Sequence, residues 1–159
     1  MGAFEVVRST TIGADARVVH ALVNDLHLWT AWSPWEDIDP GMERVHTGSP
    51  NGVGACYAWH GNRKAGAGSM QITSSQPERI ELVLRFLKPF STTNEVWFEL
   101  LPVAGSTVVT WRMRGATSGL MSWLSPVIPM DRLVGRDFER GLAKLKKVAE
   151  GDPSPTGSR

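Results

Sequence analysis

The chain has 159 residues, of which 42% are hydrophobic, so it can bury a sizeable core within one domain. Its 17 Lys and Arg residues nearly balance 16 Asp and Glu residues, and no basic stripe is present, which argues against nucleic acid as a partner. The single cysteine, Cys56, excludes an intramolecular disulfide and a cysteine-based metal cluster. We see neither a secretory signal nor an apolar stretch of the roughly 20 residues that span a bilayer, and we expect a cytoplasmic protein without an integral membrane segment.

The first third of the chain predicts one strand followed by two short helices. Residues 4–12 are rich in β-branched side chains and form the candidate strand. A second helical turn carries Trp29 and Trp32 and ends at Pro34, because proline cannot continue the helical ladder. Between these two elements the apolar residues follow helical spacing from Asp15 onward, at Val18, Val19, Leu22, Val23 and Leu26.

Between residues 40 and 115 the chain predicts six strands of an antiparallel meander. The turns are short, whereas parallel strands would need long crossover connections. Trp97 falls on the charged face of its strand, and we interpret it as an exposed surface or interface residue. The candidate strands are residues 42–47, 55–60, 66–74, 79–86, 91–101 and 106–114. The residues on their apolar face in the late strands are Ile80, Leu82, Leu84, Phe86, Val96, Phe98, Leu100, Val109, Trp111 and Met113.

The C-terminal segment predicts one long amphipathic helix that covers the apolar face of the sheet. The helix begins within residues 129–131 and ends near Gly151. We expect residues 1–150 to form a single domain and residues 151–159 to be a flexible polar tail. The apolar stripe of the helix consists of Leu133, Val134, Phe138, Leu142, Leu145 and Val148.

The most informative stretch contains three tryptophans at a spacing of three, Trp29, Trp32 and Trp35. Indoles are large, stiff and amphipathic, so a run of them usually lines some feature of the fold. Either a hydrophobic cluster fastens a loop to the core, or the indoles form the mouth of an apolar pocket. The run alone favours the first interpretation.

Several short motifs carry a family resemblance that extends over residues 4–150. The motifs are WSPW at residues 32–35, DP at 39–40, GACYAW at 54–59, GN at 61–62, GAGSM at 66–70 and VTWRM at 109–113, followed by Gly115. With these motifs and its order of elements, the chain resembles the helix-grip superfamily of START lipid-transfer domains and Bet v 1-like pollen allergens (SRPBCC). Within it, the chain is similar to the bacterial polyketide cyclase/dehydratase and lipid-transport family.

The resemblance implies an α+β fold in which a curved antiparallel seven-stranded sheet wraps around the long C-terminal helix, with two short helices after the first strand. It also implies an elongated apolar cavity between sheet and helix, which in related proteins takes lipids, sterols, polyketides or other flat hydrophobic molecules. A lining of aromatics and methionines suits an adaptable site. The candidate ligand-binding residues are Trp32, Trp35, Tyr57, Trp59, Met70, Leu82, Leu84, Phe98, Trp111, Met113, Leu133, Val134 and Phe138.

Catalysis would require polar groups inside this cavity. Tyr57 and Asn94 are the candidates, because both fall on the inward phase of their strands. The four histidines are dispersed without metal-ligand spacing, and the chain has neither a phosphate loop nor a nucleophile elbow. We therefore expect no metal and no cofactor.

Three functions remain open on the sequence. The first is binding or carriage of a hydrophobic small molecule without catalysis. The second is a polyketide cyclase or dehydratase, and the third is a protein-interaction module like related chaperone activators, for which Trp97 is the local hint. The sequence favours binding over catalysis, and it leaves the ligand and the oligomeric state open.

Overall fold

The computed structural model describes residues 3–35, 41–62, 66–88, 92–116 and 130–151. Each predicted strand is present, and its ends differ from the prediction by two residues at most. The elements are β1 (Ala3–Ile12), α1 (Ala16–Asn24), a 3-10 helix (Leu26–Ala31), β2 (Glu43–Gly48), β3 (Ala55–His60), β4 (Ala67–Gln76), β5 (Arg79–Lys88), β6 (Thr92–Val103), β7 (Ser106–Ala116) and α2 (Met130–Ala149).

The seven strands form one antiparallel sheet in the order β1-β7-β6-β5-β4-β3-β2. β2 to β7 follow one another as a meander, and β1 joins at the free edge of β7. The β4–β5 pairing shifts register after Ala67 and after Ile72. Such bulges bend a sheet, which gives this one its curvature and its concave apolar face. The predicted helix-grip fold is confirmed.

The two short helices are shaped by local side-chain hydrogen bonds. Asp15 caps α1 by accepting from the backbone N–H of Arg17, and Asp25 caps the 3-10 helix by accepting from the N–H of His27. The Arg17 backbone and side chain both donate to the Asp15 carboxylate, and these bonds lower the pKa of Asp15. The predicted two helices after the first strand are therefore separate elements with separate caps.

The contacts that hold α2 to β1 run from Arg8 to the end of the strand. Arg8 Nε lies 2.8 Å from Glu139 Oε2, and Lys146 Nζ donates to the Thr11 carbonyl at 3.0 Å. Glu150 Oε2 accepts from the N–H of Gly13 at 2.7 Å and from Lys146 Nζ. The bond from Lys146, followed by the bond from Gly13, holds the pKa of Glu150 below its ordinary value of 4.5.

The apolar stripe of α2 follows a different line at its C-terminal end than the sequence predicts. Phe138, Leu142 and Leu145 are buried against the sheet, as expected. Val148 was also expected there, and this is wrong, because its side chain is exposed. Four residues after Leu145, the stripe continues at Ala149, which packs against the core, and Val148 is thereby turned towards the solvent.

The outer face of the sheet carries charged side chains, and two of them bury Trp97, which the sequence predicts to be exposed. Trp97 lies on this face as expected, but it is only 9% exposed. The guanidinium groups of Arg79 and Arg114 lie over its ring, 5.1 and 5.2 Å from the ring centroid. The expectation of an exposed tryptophan is therefore wrong, because long arginine side chains from the neighbouring strands cover the indole.

Candidate functional site

One end of the space between the sheet and α2 is filled by six aromatic rings, here called the aromatic plug. At its centre, Trp111 and Phe138 stack in parallel, with ring centroids 4.0 Å apart and an angle of 4° between planes. Phe98 also stacks on Trp111, with ring centroids 4.8 Å apart. Aromatic contacts at these distances are a packed core rather than a chamber. The plug consists of Trp29, Trp32, Trp35, Phe98, Trp111 and Phe138.

The indole N–H groups of the tryptophan run are committed to the fold. Trp29 Nε1 donates to the Val23 carbonyl at 2.9 Å, and Trp32 Nε1 donates to the Leu22 carbonyl at 3.0 Å. These carbonyls belong to the last turn of α1, which has no helical donor for them. Trp35 Nε1 donates to Asp137 of α2 at 3.1 Å. The run therefore ties α1 and α2 to the core, as the first interpretation predicts.

A second region of the concave face lies about 13 Å from Trp111, four residues further along β7 at Gly115. Register pairing places a set of inward residues side by side at this level, one from each strand. We call this set the Asn94 row. From β1 to β2 across the sheet, it consists of Phe4, Gly115, Asn94, Leu84, Met70, Tyr57 and His46.

Two glycines let aromatic rings lie low on this part of the sheet. A Cβ on Gly68 would come within 2.6 Å of Trp59 Cη2, so the indole occupies the place of a side chain at that position. A Cβ on Gly115 would come within 2.9 Å of Phe4 Cζ in the same way. Trp59 thereby crosses β4 and meets Phe86 of β5 edge-on, with centroids 5.9 Å apart. Because these rings lie close to the backbone at the glycines, another molecule could occupy the space above them.

The degree of burial differs between the two regions. Trp32, Phe98, Trp111 and Phe138 of the plug are at most 1% exposed. In contrast, Phe4, Trp59 and Phe86 are only partly buried, although all three lie on the concave face. Large aromatic surface that remains accessible inside a fold is typical of a binding site.

Asn94 is a buried polar side chain of this region, as Tyr57 is. It lies between Leu84 of β5 and Gly115 of β7 and is 3% exposed. Its Nδ2 reaches Thr92 Oγ1 at 3.5 Å, the upper limit for a hydrogen bond. Its Oδ1 lies over Gly115, where it would collide with a Cβ, and it has no hydrogen-bond partner among the described residues.

The far end of the Asn94 row is joined to the 3-10 helix by stacked rings. His46 of β2 stacks on His27, with centroids 4.0 Å apart, and its ring also lies 4.9 Å from that of Tyr57. Asp25 accepts from the N–H of His27 and contacts its Nδ1 at 2.9 Å. Within the described ranges, no three His, Cys, Asp or Glu side chains form a group that could hold a metal ion.

The thirteen residues predicted to bind a ligand fall into separate places. Leu133 lies within α2, but its side chain is outside the described residues, and Val134 is partly buried against the core. Leu82 and Met113 lie in the intervening row, between the plug and the Asn94 row. Five predicted residues form part of the plug: Trp32, Trp35, Phe98, Trp111 and Phe138. Four lie in the Asn94 row or directly beside it: Tyr57, Trp59, Met70 and Leu84.

Sequence reasoning missed Phe4 and Phe86 as residues of this region. Both fall on the inward phase of their strands, so alternation places them on the concave face. The additional signal was cross-strand: each is paired with a glycine, Gly115 and Gly68 respectively. Such pairs require a strand register, which a sequence without the structure does not provide.

A surface depression of about 580 Å³ lies elsewhere, between the start of α1 and two hairpin turns. It is open to solvent and contains none of the predicted ligand-binding residues. Its lining includes Arg17, His20 and Glu78. No helix in the described part of the chain is long and apolar enough to cross a membrane.

Solved structures share this architecture at low sequence identity. CV1439 from Chromobacterium violaceum matches with a TM-score of 0.67 and 14% identity, over 94% of this chain and 98% of that one. CalU16 from Micromonospora echinospora matches with a TM-score of 0.61 and 16% identity, over 96% and 78%. The Aha1 dimer from Colwellia psychrerythraea matches with a TM-score of 0.59 and 16% identity, over 95% and 99%. At these identities the likeness concerns the fold.

The sequence itself matches a defined family across most of its length. No curated protein matches the chain. The family described as polyketide cyclase / dehydrase and lipid transport matches residues 3–150, from the first strand to the end of α2. The chain therefore belongs to the polyketide cyclase/dehydrase and lipid-transport family.

Proposed function

We propose that this protein binds an apolar small molecule between the sheet and the C-terminal helix, and that it does so without a reaction of its own. The site is the region of the Asn94 row together with Trp59 and Phe86. The observation that carries the proposal is the pair of aromatic rings laid over Gly68 and Gly115, which stay partly exposed on the concave face. The lipid-transport part of the family description agrees with it.

The residues proposed to contact the ligand are fewer than those derived from the sequence, and they include Phe4 and Phe86, which the sequence-derived set lacks. Residues of the aromatic plug contact one another at stacking distance, so we place the plug at the closed end of the site rather than among the ligand contacts. Phe4, Trp59, Phe86, Met70 and Leu84 would form its wall. Methionine and aromatic surfaces adapt to ligands of different shape, which suits carriage better than discrimination by shape.

The cyclase or dehydratase alternative has less support. Its two candidate residues, Tyr57 and Asn94, share a face and a cross-strand row, but two strands lie between theirs. Three strand spacings separate them by about 14 Å along the sheet. General acid and base groups must reach the same reacting atoms within hydrogen-bond distance. The separation of their backbone positions therefore gives no support for an acid–base pair on one bond.

The interaction-module alternative loses its local support. It rested on an exposed Trp97, and that indole is covered by Arg79 and Arg114. The resemblance to the Aha1 dimer concerns the fold, and no described surface of this chain singles out a partner.

The proposal is tested by filling the site. Leu84→Trp places a bulky ring at the centre of the Asn94 row, whereas Leu101→Trp places the same ring at an exposed position on β6. Native mass spectrometry and fluorescence titration with naphthol should show binding by the wild type and by Leu101→Trp, and at least tenfold weaker binding by Leu84→Trp. Circular dichroism checks that both variants are folded. Equal binding by both variants, or no binding by the wild type, would overturn the proposal.

A further inference from the structure

Asn94 presents a hydrogen-bond requirement that the described protein does not meet. The side chain is 3% exposed, and its carbonyl oxygen has no hydrogen-bond partner among the described residues. Its amide nitrogen has only the long contact to Thr92 Oγ1. An acceptor buried in this way weakens the fold unless a donor reaches it.

The surroundings of this oxygen are apolar. Leu84 is its cross-strand neighbour on β5, and the bare Gly115 lies on the β7 side with the ring of Phe4 above it. Leucine has the same branching as asparagine at the γ position and would fill the place without an unmet polar atom. The presence of an amide here therefore points to a donor that arrives from the space above the sheet.

We infer that the ligand carries a hydroxyl or N–H donor that is held by Asn94 Oδ1, next to a flat apolar body that lies against Phe4 and Phe86. This inference rests on the proposed binding function. It assigns the ligand to ring compounds that carry a hydroxyl or N–H group rather than to plain hydrocarbons, and it makes Asn94 the residue that selects them. The geometry allows this because Phe4 lies over Gly115 on one side of Asn94, and Phe86 lies on the same face of β5 on the other side, two residue pairs beyond Leu84.

The test uses three naphthalenes substituted at the same carbon with a hydroxyl, a methoxy or a methyl group. Only the hydroxyl compound donates a hydrogen bond, while the methoxy compound keeps the oxygen. Relative to the wild type, the Asn94→Leu variant should bind naphthol about fivefold to tenfold more weakly, which is the loss expected for one buried neutral hydrogen bond. The same substitution should leave the affinities for the methoxy and methyl compounds unchanged within about twofold or improve them, because it adds apolar contact area.

A matched control removes a buried polar group that already has its partner. Thr107 is fully buried, and its Oγ1 donates to the Ala14 carbonyl at 2.8 Å, away from the site. Thr107→Val should lower the midpoint of thermal unfolding and leave the preference among the three naphthalenes intact. Asn94→Leu should raise that midpoint, since it removes an unmet acceptor.

The outcomes separate this inference from the proposed function. If wild-type protein binds all three compounds and Asn94→Leu changes every affinity equally, the ligand assignment is wrong while the binding function stands. If Asn94→Leu lowers the unfolding midpoint, the oxygen already has a partner such as a buried water, and the assignment also fails. If the wild type binds none of the three compounds, both proposals fail.

Discussion

The contrast between two phenylalanines provides the sharpest test of how the interior is packed. Phe138 of α2 is 1% exposed and stacks on Trp111 at 4.0 Å, whereas Phe86 of β5 is only partly buried and meets Trp59 edge-on. The same substitution, to alanine, therefore removes the same atoms from a filled and from an unfilled environment. Because the same side-chain atoms are removed at both positions, the difference between the two losses depends on packing and on the backbone preference of alanine.

The expected losses of unfolding free energy follow from these environments. Phe138→Ala should cost about 3–5 kcal/mol, because it removes buried area and leaves a cavity between fixed rings. Phe86→Ala should cost about 1–1.5 kcal/mol, roughly half of the value for complete burial of such a side chain, with little cavity term. Backbone preferences oppose this order, because alanine favours helix and disfavours strand by about 0.5–1 kcal/mol. The measured difference between the two variants is therefore a lower estimate of the difference that arises from packing.

The assay is urea unfolding of both variants at pH 7, with unfolding free energies from linear extrapolation and slopes compared with the wild type. The account expects the loss for Phe138→Ala to exceed that for Phe86→Ala by about 1.5 kcal/mol or more. A loss below about 1.5 kcal/mol for Phe138→Ala would mean that its ring faces empty space. Equal losses would refute the division of the interior into a plug and a binding region.

Two further predictions test the glycine gap and the acid sensitivity of the C-terminal contact. Gly68→Ala should displace the Trp59 ring and also press on the Arg85 carbonyl, which together would cost about 1–3 kcal/mol, and the displaced ring should shift the tryptophan emission; unchanged emission would show that the ring does not lie there. Glu150→Gln should destabilise the protein at pH 7, because hydrogen bonds from Lys146 and the Gly13 N–H lower the pKa of Glu150 in the fold. This stabilisation is present above the unfolded pKa and is lost as pH falls through the folded pKa, so the difference in melting temperature should vanish in acid; a difference that persists there would contradict it.

The sequence contained most of the fold because periodicity reports which face of an element is buried. Alternation in β5, β6 and β7 predicts the concave face correctly, down to Leu84, Phe98 and Met113. The last residue of the α2 stripe was misplaced at Val148, because a spacing of three or of four residues after Leu145 is equally helical and the folded helix uses Ala149. The order of β2 to β7 followed from the short turns, which favour neighbouring antiparallel pairs, whereas the pairing of β1 with β7 did not.

The candidate site was less predictable, since spacing does not reveal which rings touch. Trp29 and Phe138 are far apart in sequence and both pack around Trp111, and only the folded geometry separates this filled end from the region around Asn94. Trp97 shows the same limitation in reverse. Its place on the outer face followed from alternation, but its burial depends on the reach of two arginines from neighbouring strands.

The central claim is that ligand enters the region around Trp59 while the aromatic plug stays closed. The most direct measurement is a proton–nitrogen correlation NMR spectrum of the seven tryptophan indoles during titration with naphthol, with Trp59 assigned by Trp59→Phe. The account predicts that the Trp59 indole signal moves with saturation, while the signals of Trp29, Trp32 and Trp111 stay in place. Movement of the Trp111 or Trp32 signal with a stationary Trp59 signal would contradict it.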